Sequence, residues 1–262
     1  MHLFDTGEVR LHYRVDGPES GPTLVFANSL GTDLRLWNPV LSHLPEGLRI
    51  VRYDKRGHGL SSCPGGDYHM GALITDAERL LDHLEVRDCV FVGLSVGGMI
   101  AQGLAVKRLD QVRALVLSNT AAKIGNRAMW AERIAAVQAG GIESLADAVM
   151  ERWFSPGFRA TPELELWRNM LVRQPATGYA GVCGAISHSD FYTTTASLRL
   201  PALGIAGADD GSTPPDLVRE TIELIPASRF ELIRKAGHLP CVEQPEEYAR
   251  ILTEFLRNVG HI

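Results

Sequence analysis

Residues 91–99 read FVGLSVGGM. A run of strand-forming apolar residues, CVFVGL (89–94), stops at a serine, and glycines stand two residues away on either side. Gly93-Leu94-Ser95-Val96-Gly97 fits G-x-S-x-G, with a strand pattern before it and a helical pattern, 97–107, after it. Glycine suits both flanks because the turn between strand and helix is tight, and a Cβ there would strike its neighbours. A helix that starts near Val96 also directs its free N–H groups and positive dipole end toward Ser95. The stretch predicts a hydroxyl held up as a nucleophile at the carboxyl end of a buried strand.

Working outward, short apolar runs recur at VRLHYRV (9–15), TLVFAN (23–28), RIVRYD (49–54), ALVLSN (114–119), ALGIAG (202–207) and RFELIR (229–234). Several are almost continuous in Val, Ile, Leu, Phe and Ala, as expected of strands covered on both faces. Helical patterns lie between them at roughly 72–84, 97–107 and 244–258. The Gly/Pro turn DGPESGP (16–22) suits an antiparallel hairpin joining the first two strands of this set. Strand alternating with helix predicts the α/β class: a mostly parallel central sheet with helices on both faces. Between 121 and 190 the strand rhythm stops, and helical patterns follow one another in MWAERIAAVQ, IESLADAVMERWF and PELELWRNMLV. The expected organisation is a core domain, 1–120 and 191–262, with a helical cap, 121–190, inserted between two strands.

Bulk properties narrow the function classes. The 262 residues are 45% hydrophobic and 22% charged, which fits one large globular domain with an insertion. A net charge of -5 without a basic run argues against nucleic acid as a partner. No apolar run reaches the roughly 18 residues that a membrane span needs, and the N-terminal residues show no signal-peptide pattern. Cys63, Cys89, Cys183 and Cys241 are far apart in sequence and read as reduced thiols of a cytoplasmic protein, with no metal site.

A serine hydroxyl needs a base to take its proton. In the chain order Ser, acid, His, the histidine follows the later strands. Only His238 and His261 do so, and His261, near the end of the sequence, is expected to fray. His238 lies in RKAGHLPCVEQP (234–245), just after strand 229–234. The acid belongs to GIAGADDGSTPP (204–215), where Asp209 and Asp210 compete. Adjacent side chains point apart, and the spacing G-x-x-D-x-x-x-P from Gly207 to Pro214 favours Asp210. An oxyanion needs preorganised donors. The candidates are the backbone N–H groups of Val96 and of Leu30, the latter in the loop NSLG (28–31), which Asn28 would tie down.

These residues, with YDKRGHGLS (53–61), GLSVGG (93–98) and AGHLPCVEQP (236–245), resemble the α/β-hydrolase family over essentially the whole chain. The resemblance implies the α/β-hydrolase fold and a Ser95-His238-Asp210 triad, and makes Asp54 and Arg56 structural braces. Asn28 departs from the family, whose members often carry histidine there. LSNTAAKIGNRAMWAERIAAV (117–137) and AGADDGSTPP are similar to bacterial 3-oxoadipate enol-lactonases of the β-ketoadipate pathway of aromatic catabolism. That likeness implies a small anionic lactone as substrate and a triad mechanism with no metal or organic cofactor.

An anionic substrate in a net acidic protein needs a local positive group. The start of the insertion supplies Lys123, Arg127 and Arg133 beside Trp130. A helical period puts Trp130 and Arg133 on one face, so Arg133 is the first choice and Trp130 an apolar wall. Trp153 is a further lining candidate. The rival readings are another serine carboxylesterase, a C–C bond hydrolase or a perhydrolase of the same fold, and, from another class, a non-catalytic ligand-binding protein. Monomer and homo-oligomer both stay open.

Overall fold

The computed structural model describes residues 1–262. Eight strands build one sheet: β1 (His2–Asp5), β2 (Arg10–Asp16), β3 (Thr23–Ala27), β4 (Arg49–Tyr53), β5 (Cys89–Leu94), β6 (Val112–Ser118), β7 (Ala202–Gly207) and β8 (Arg229–Ile233). Their order across the sheet is β1-β2-β4-β3-β5-β6-β7-β8. β2 runs antiparallel to β1 and β4, and every pair from β4 to β8 is parallel. Phe91 of β5 stands beside Val25 of β3 and Leu115 of β6, and all three are fully buried. Each such apolar side chain contributes roughly 1.5–3 kcal/mol over its exposed state.

Twelve helices accompany the sheet: α1 (Asn38–Leu41), α2 (Met70–His83), α3 (Val96–Lys107), α4 (Arg127–Gly140), α5 (Ala146–Trp153), α6 (Pro156–Arg159), α7 (Leu164–Val172), α8 (Ala176–Ser187), α9 (Tyr192–Ala196), α10 (Pro215–Glu223), α11 (Pro240–Glu243) and α12 (Pro245–Asn258). α3 packs on β5 and β6 and against α2, while α12 packs with α1. The stretch between β6 and β7 holds helices, α4 to α9, and no strand. Within it α4 lies along α8, and α5 along α7. No helix is long and apolar enough to cross a membrane.

Three sequence expectations need correction. First, β2 and β3 do not form a hairpin, because β4 lies between them. The turn after β2 carries the chain across to β3, on the far edge of β4: Pro22, just before β3, already accepts from the Arg49 N–H at 3.0 Å. β4 is buried over most of its length and needs a partner along both edges, which β2 and β3 supply. Second, β1 was absent from the expected strands. It is a four-residue edge strand, exposed along most of its length, and too short for a periodic signal. Third, His261 does not fray: its side chain is buried and Nε2 bonds to the Thr23 carbonyl at 3.1 Å.

Candidate active site

The carboxyl ends of β3, β5, β6, β7 and β8 deliver the loops that converge on Ser95. Ser95 sits between β5 and α3 with φ 58° and ψ -119°, a backbone state that a residue with a Cβ rarely adopts. The surroundings hold it there. Its N–H bonds to the Ser118 carbonyl at 3.0 Å, and its carbonyl accepts from the Thr120 hydroxyl at 2.6 Å. The flanking glycines are a steric requirement. A Cβ on Gly93 would lie 2.2 Å from the Gly97 carbonyl oxygen, and one on Gly97 would lie 2.2 Å from that of Ala27.

His238 and Asp210 meet across the loops after β8 and β7. His238 Nδ1 lies 2.9 Å from Asp210 Oδ2, and both side chains are buried. Asp209 is exposed and takes no part. Asp210 Oδ2 also accepts from Asn119 Nδ2 at 2.8 Å and from the Thr213 hydroxyl at 2.8 Å, while Oδ1 accepts from the N–H groups of Ser212 at 2.7 Å and Thr213 at 3.1 Å. Burial alone would raise this carboxyl. The charge and hydrogen bond of His238, with Asn119 and the Ser212 N–H, outweigh burial and hold it below its usual range. Asn119 was not anticipated as a site residue. Its signal was a polar side chain directly after the apolar run of β6.

His238 Nε2, the face away from Asp210, has only the Ser29 hydroxyl as a partner, at a loose 3.4 Å. Ser29 belongs to the loop after β3. Asn28 anchors that loop, donating to the Tyr53 carbonyl at 2.8 Å and accepting from Trp37 Nε1 at 2.8 Å. Lys55, fully buried, donates to the carbonyls of Ser29 at 2.6 Å and Thr32 at 3.3 Å. Burial lowers its pKa to about 7 against the opposing pull of Asp54 and Asp33. The Leu30 N–H makes no hydrogen bond within the protein. Val96 opens α3, so its N–H is one of the four without an intrahelical acceptor. Asp54 and Arg56 brace the same region. Asp54 accepts from Leu34 N–H and Leu60 N–H and bonds to His12, while Arg56 grips Asp76 through two nitrogens.

Ser29, Leu30, Ser95 and His238 open into one cavity of about 90 Å³. Its far walls come from the helical stretch: Trp130 and Arg133 of α4, Arg152 and Trp153 of α5, and Tyr179 of α8. Trp130 is fixed by its indole N–H, which donates to the Ile124 carbonyl at 2.7 Å, and the Arg133 guanidinium stacks over it at 5.1 Å. Burial pushes the Tyr179 hydroxyl up to about 12 against the nearby charge of Arg133. Lys123, expected here, is elsewhere: its exposed ammonium pairs with Asp190 at 3.1 Å, outside the cavity. Arg127 opens α4 and is exposed. Arg152 was missed, because nothing in one sequence says which face of α5 turns inward.

α5 is tied to the loops that carry His238 and Asp210. The His238 N–H donates to the Trp153 carbonyl at 2.7 Å and the Gly211 N–H to the Arg152 carbonyl at 3.1 Å. Just beyond α5, Ser155 donates through N–H and hydroxyl to Glu243 Oε2 at 3.0 and 2.5 Å, and Gly237 N–H donates to Oε1 at 2.6 Å. Burial raises the Glu243 carboxyl above its ordinary value, and these three donors only partly offset it.

Known proteins resemble this chain over nearly its whole length. A 3-oxoadipate enol-lactonase of Acinetobacter baylyi is 36% identical over 253 residues, covering 95% of this chain and 94% of that one. The crystal structure of an enol-lactonase from Burkholderia xenovorans superposes with a TM-score of 0.94 at 34% identity, covering 98% of this chain and 100% of that one. A malate-bound thermophilic esterase from Thermogutta terrifontis superposes with a TM-score of 0.89 at 28% identity, over 96% and 94% of the two chains. The model of the alpha/beta hydrolase family matches residues 24–251, which span β3 to α12. With a strained serine between β5 and α3 and a His–Asp pair on the later loops, the chain belongs to the alpha/beta hydrolase family.

Proposed function

We propose that the protein hydrolyses 3-oxoadipate enol-lactone, with Ser95 as nucleophile, His238 as general base and acid, and Asp210 as the group that orients His238. The observation that carries this reading is the His238–Asp210 bond at 2.9 Å, with His238 lining the same cavity as Ser95. Enol-lactonases among the most similar relatives supply the substrate.

Ser95 Oγ attacks the lactone carbonyl as His238 Nε2 takes its proton. The negative charge that develops on the carbonyl oxygen meets the N–H groups of Leu30 and Val96. On collapse the C–O bond of the ring breaks. The enol oxygen leaves, takes the proton from His238, and the enol becomes a ketone. Water, deprotonated by His238, then attacks the acyl-Ser95 ester, and Ser95 leaves with that proton. The chemistry draws only on these side chains and water. Asp210 stays ionised throughout, and its depressed pKa supports that role.

The small cavity favours a compact ring over a long-chain ester, since sites for drug-sized ligands run to roughly 300–1,000 Å³. Trp130 and Trp153 form its apolar wall, and Arg133 meets the carboxylate of the substrate. Malate, on the Thermogutta esterase, is likewise a small carboxylate. A small anionic substrate also suits the cytoplasmic placement expected from the cysteines. The test is a spectrophotometric assay on the enol-lactone beside a panel of aryl esters and a ring-fission product. Wild type is expected to prefer the lactone, and Ser95→Ala to abolish turnover. Preference for another class in the panel moves the protein to that class. Binding without turnover in wild type makes it a ligand-binding protein.

A further inference from the structure

Two arginines face the cavity without a counter-ion. Arg133 and Arg152 both line it, and neither guanidinium pairs with a carboxylate of the protein. Their neighbours behave otherwise: Arg159 pairs with Glu151, and Arg168 with Glu143 and Asp147. Glu132 and Glu151, adjacent in sequence to the two arginines, are exposed. The stem of Arg152 lies over Gly211, where an added Cβ would stand 3.3–3.4 Å from its Cγ and Cβ. Arg133 is held by its stack on Trp130. Burial, and next the charge of Arg133, lower the pKa of Arg152. Two like charges in a partly dry cavity repel, and an anion between them relieves both. A planar carboxylate matches two guanidinium forks better than any neutral group does.

The cavity has a second region suited to negative charge. Leu30, whose N–H is free, lines it with Ser95 and His238, Val96 follows Ser95 with its own N–H free at the start of α3, and apolar Trp130 and Trp153 line the space that Ser95 shares with the arginines. A short carbon chain with a carboxylate at each end meets both.

We propose that Arg152 joins Arg133 in a two-arginine carboxylate subsite, so that short dicarboxylates, including the ring-opened product, occupy the cavity as competitive ligands. The proposal rests on the lactonase reading, because the product of that reaction is such a dicarboxylate.

The probe is adipate, a six-carbon dicarboxylate with no bond to cleave, tested as an inhibitor of aryl acetate hydrolysis. Hexanoate serves as the monocarboxylate control, and a neutral arylboronic acid as reference ligand for Ser95. Adipate is expected to inhibit competitively, more tightly than hexanoate, with a Ki that rises with ionic strength. Relative to the boronic acid, Arg152→Met and Arg133→Met are each expected to weaken adipate about 10- to 150-fold, and Arg152→Lys to weaken it less than Arg152→Met. Adipate no tighter than hexanoate, a Ki insensitive to salt, or Arg152→Met equal to wild type in that ratio overturns the subsite. Those results leave the lactonase reading standing if Ser95→Ala still abolishes turnover. If the lactone is not turned over at all, calorimetric titration of adipate into wild type and Arg152→Met still decides the subsite.

Discussion

Asn119 Nδ2 and His238 Nδ1 both reach the same atom, Asp210 Oδ2, at 2.8 and 2.9 Å. Asn119 adopts φ 45°, a backbone state that asparagine tolerates better than most residues, and it directly follows β6, the strand beside β7. The carboxylate that orients His238 is thus steadied from a third strand end. Asn119→Ala removes one donor from a buried carboxylate, so Asp210 protonates more readily. The acid limb of the kcat/KM profile is expected to move to higher pH, with kcat down about 10-fold, the scale of one hydrogen bond to a charged group. An unmoved acid limb removes Asn119 from this role.

Asp210→Asn is expected to lower kcat by roughly 10⁴, since the histidine then loses its oriented tautomer. Asp209→Asn, altering an exposed side chain, is expected to leave kcat within about twofold. Steady-state kinetics of the two variants decides the pair, and the reverse ranking assigns the role to Asp209.

Ser95→Ala and His238→Ala are each expected to lower kcat by on the order of 10⁴–10⁶, and the double variant to be little worse than either, because the residues act as a unit. Independent, multiplying losses would show that they serve different steps.

Lys55 makes stability depend on pH. Its pKa falls from 10.5 unfolded to about 7 folded, so between those values the unfolded chain holds the extra proton. Stability therefore rises with pH above about 7, by up to roughly 1.4 kcal/mol per unit. Above about pH 8.5 the buried thiols oppose this, since burial raises Cys89 and Cys183 to about 12 and the folded chain then holds the extra protons. Urea unfolding at pH 7.0 and 8.5 is expected to show a larger gain for wild type than for Lys55→Met. Equal gains would place the titration elsewhere.

Gly97→Ala forces a Cβ to 2.2 Å from the Ala27 carbonyl oxygen, and neither backbone can yield without moving β3 or the Ser95 turn. A loss of several kcal/mol is expected, at or beyond the ordinary range for one substitution, read as a fall in Tm or in soluble yield. A near-wild-type Tm would mean that the turn is looser than the geometry allows.

Much of the fold is written in local patterns. β5, the Ser95 turn and α3 are contiguous, so periodicity and two glycines suffice to read them. The loop positions of His238 and Asp210 follow from the strands that precede them. Pairings between distant segments are not written that way. β2 carries the alternation of a strand, but whether β3 or β4 lies beside it depends on chain crossing, and the Gly/Pro turn misled. The cavity wall shows the same limit. Trp130 and Arg133 share a helix face that spacing reveals, whereas Arg152 faces inward only because α5 is fixed against the Asp210 and His238 loops. Lys123 carries the same kind of charge but finds Asp190 first.

Those ties on α5 set a limit on exchange between relatives. The helices between β6 and β7 look like a removable module, free to be swapped so that one scaffold serves another substrate. Yet the carbonyls of Arg152 and Trp153 hold the loops of Asp210 and His238, and Ser155 shares Glu243 with Gly237. A graft that replaces these helices wholesale also replaces the supports of His238 and Asp210. New specificity in this scaffold is more readily reached by changing side chains on α4 and α8 while keeping the backbone of residues 152–155 in place.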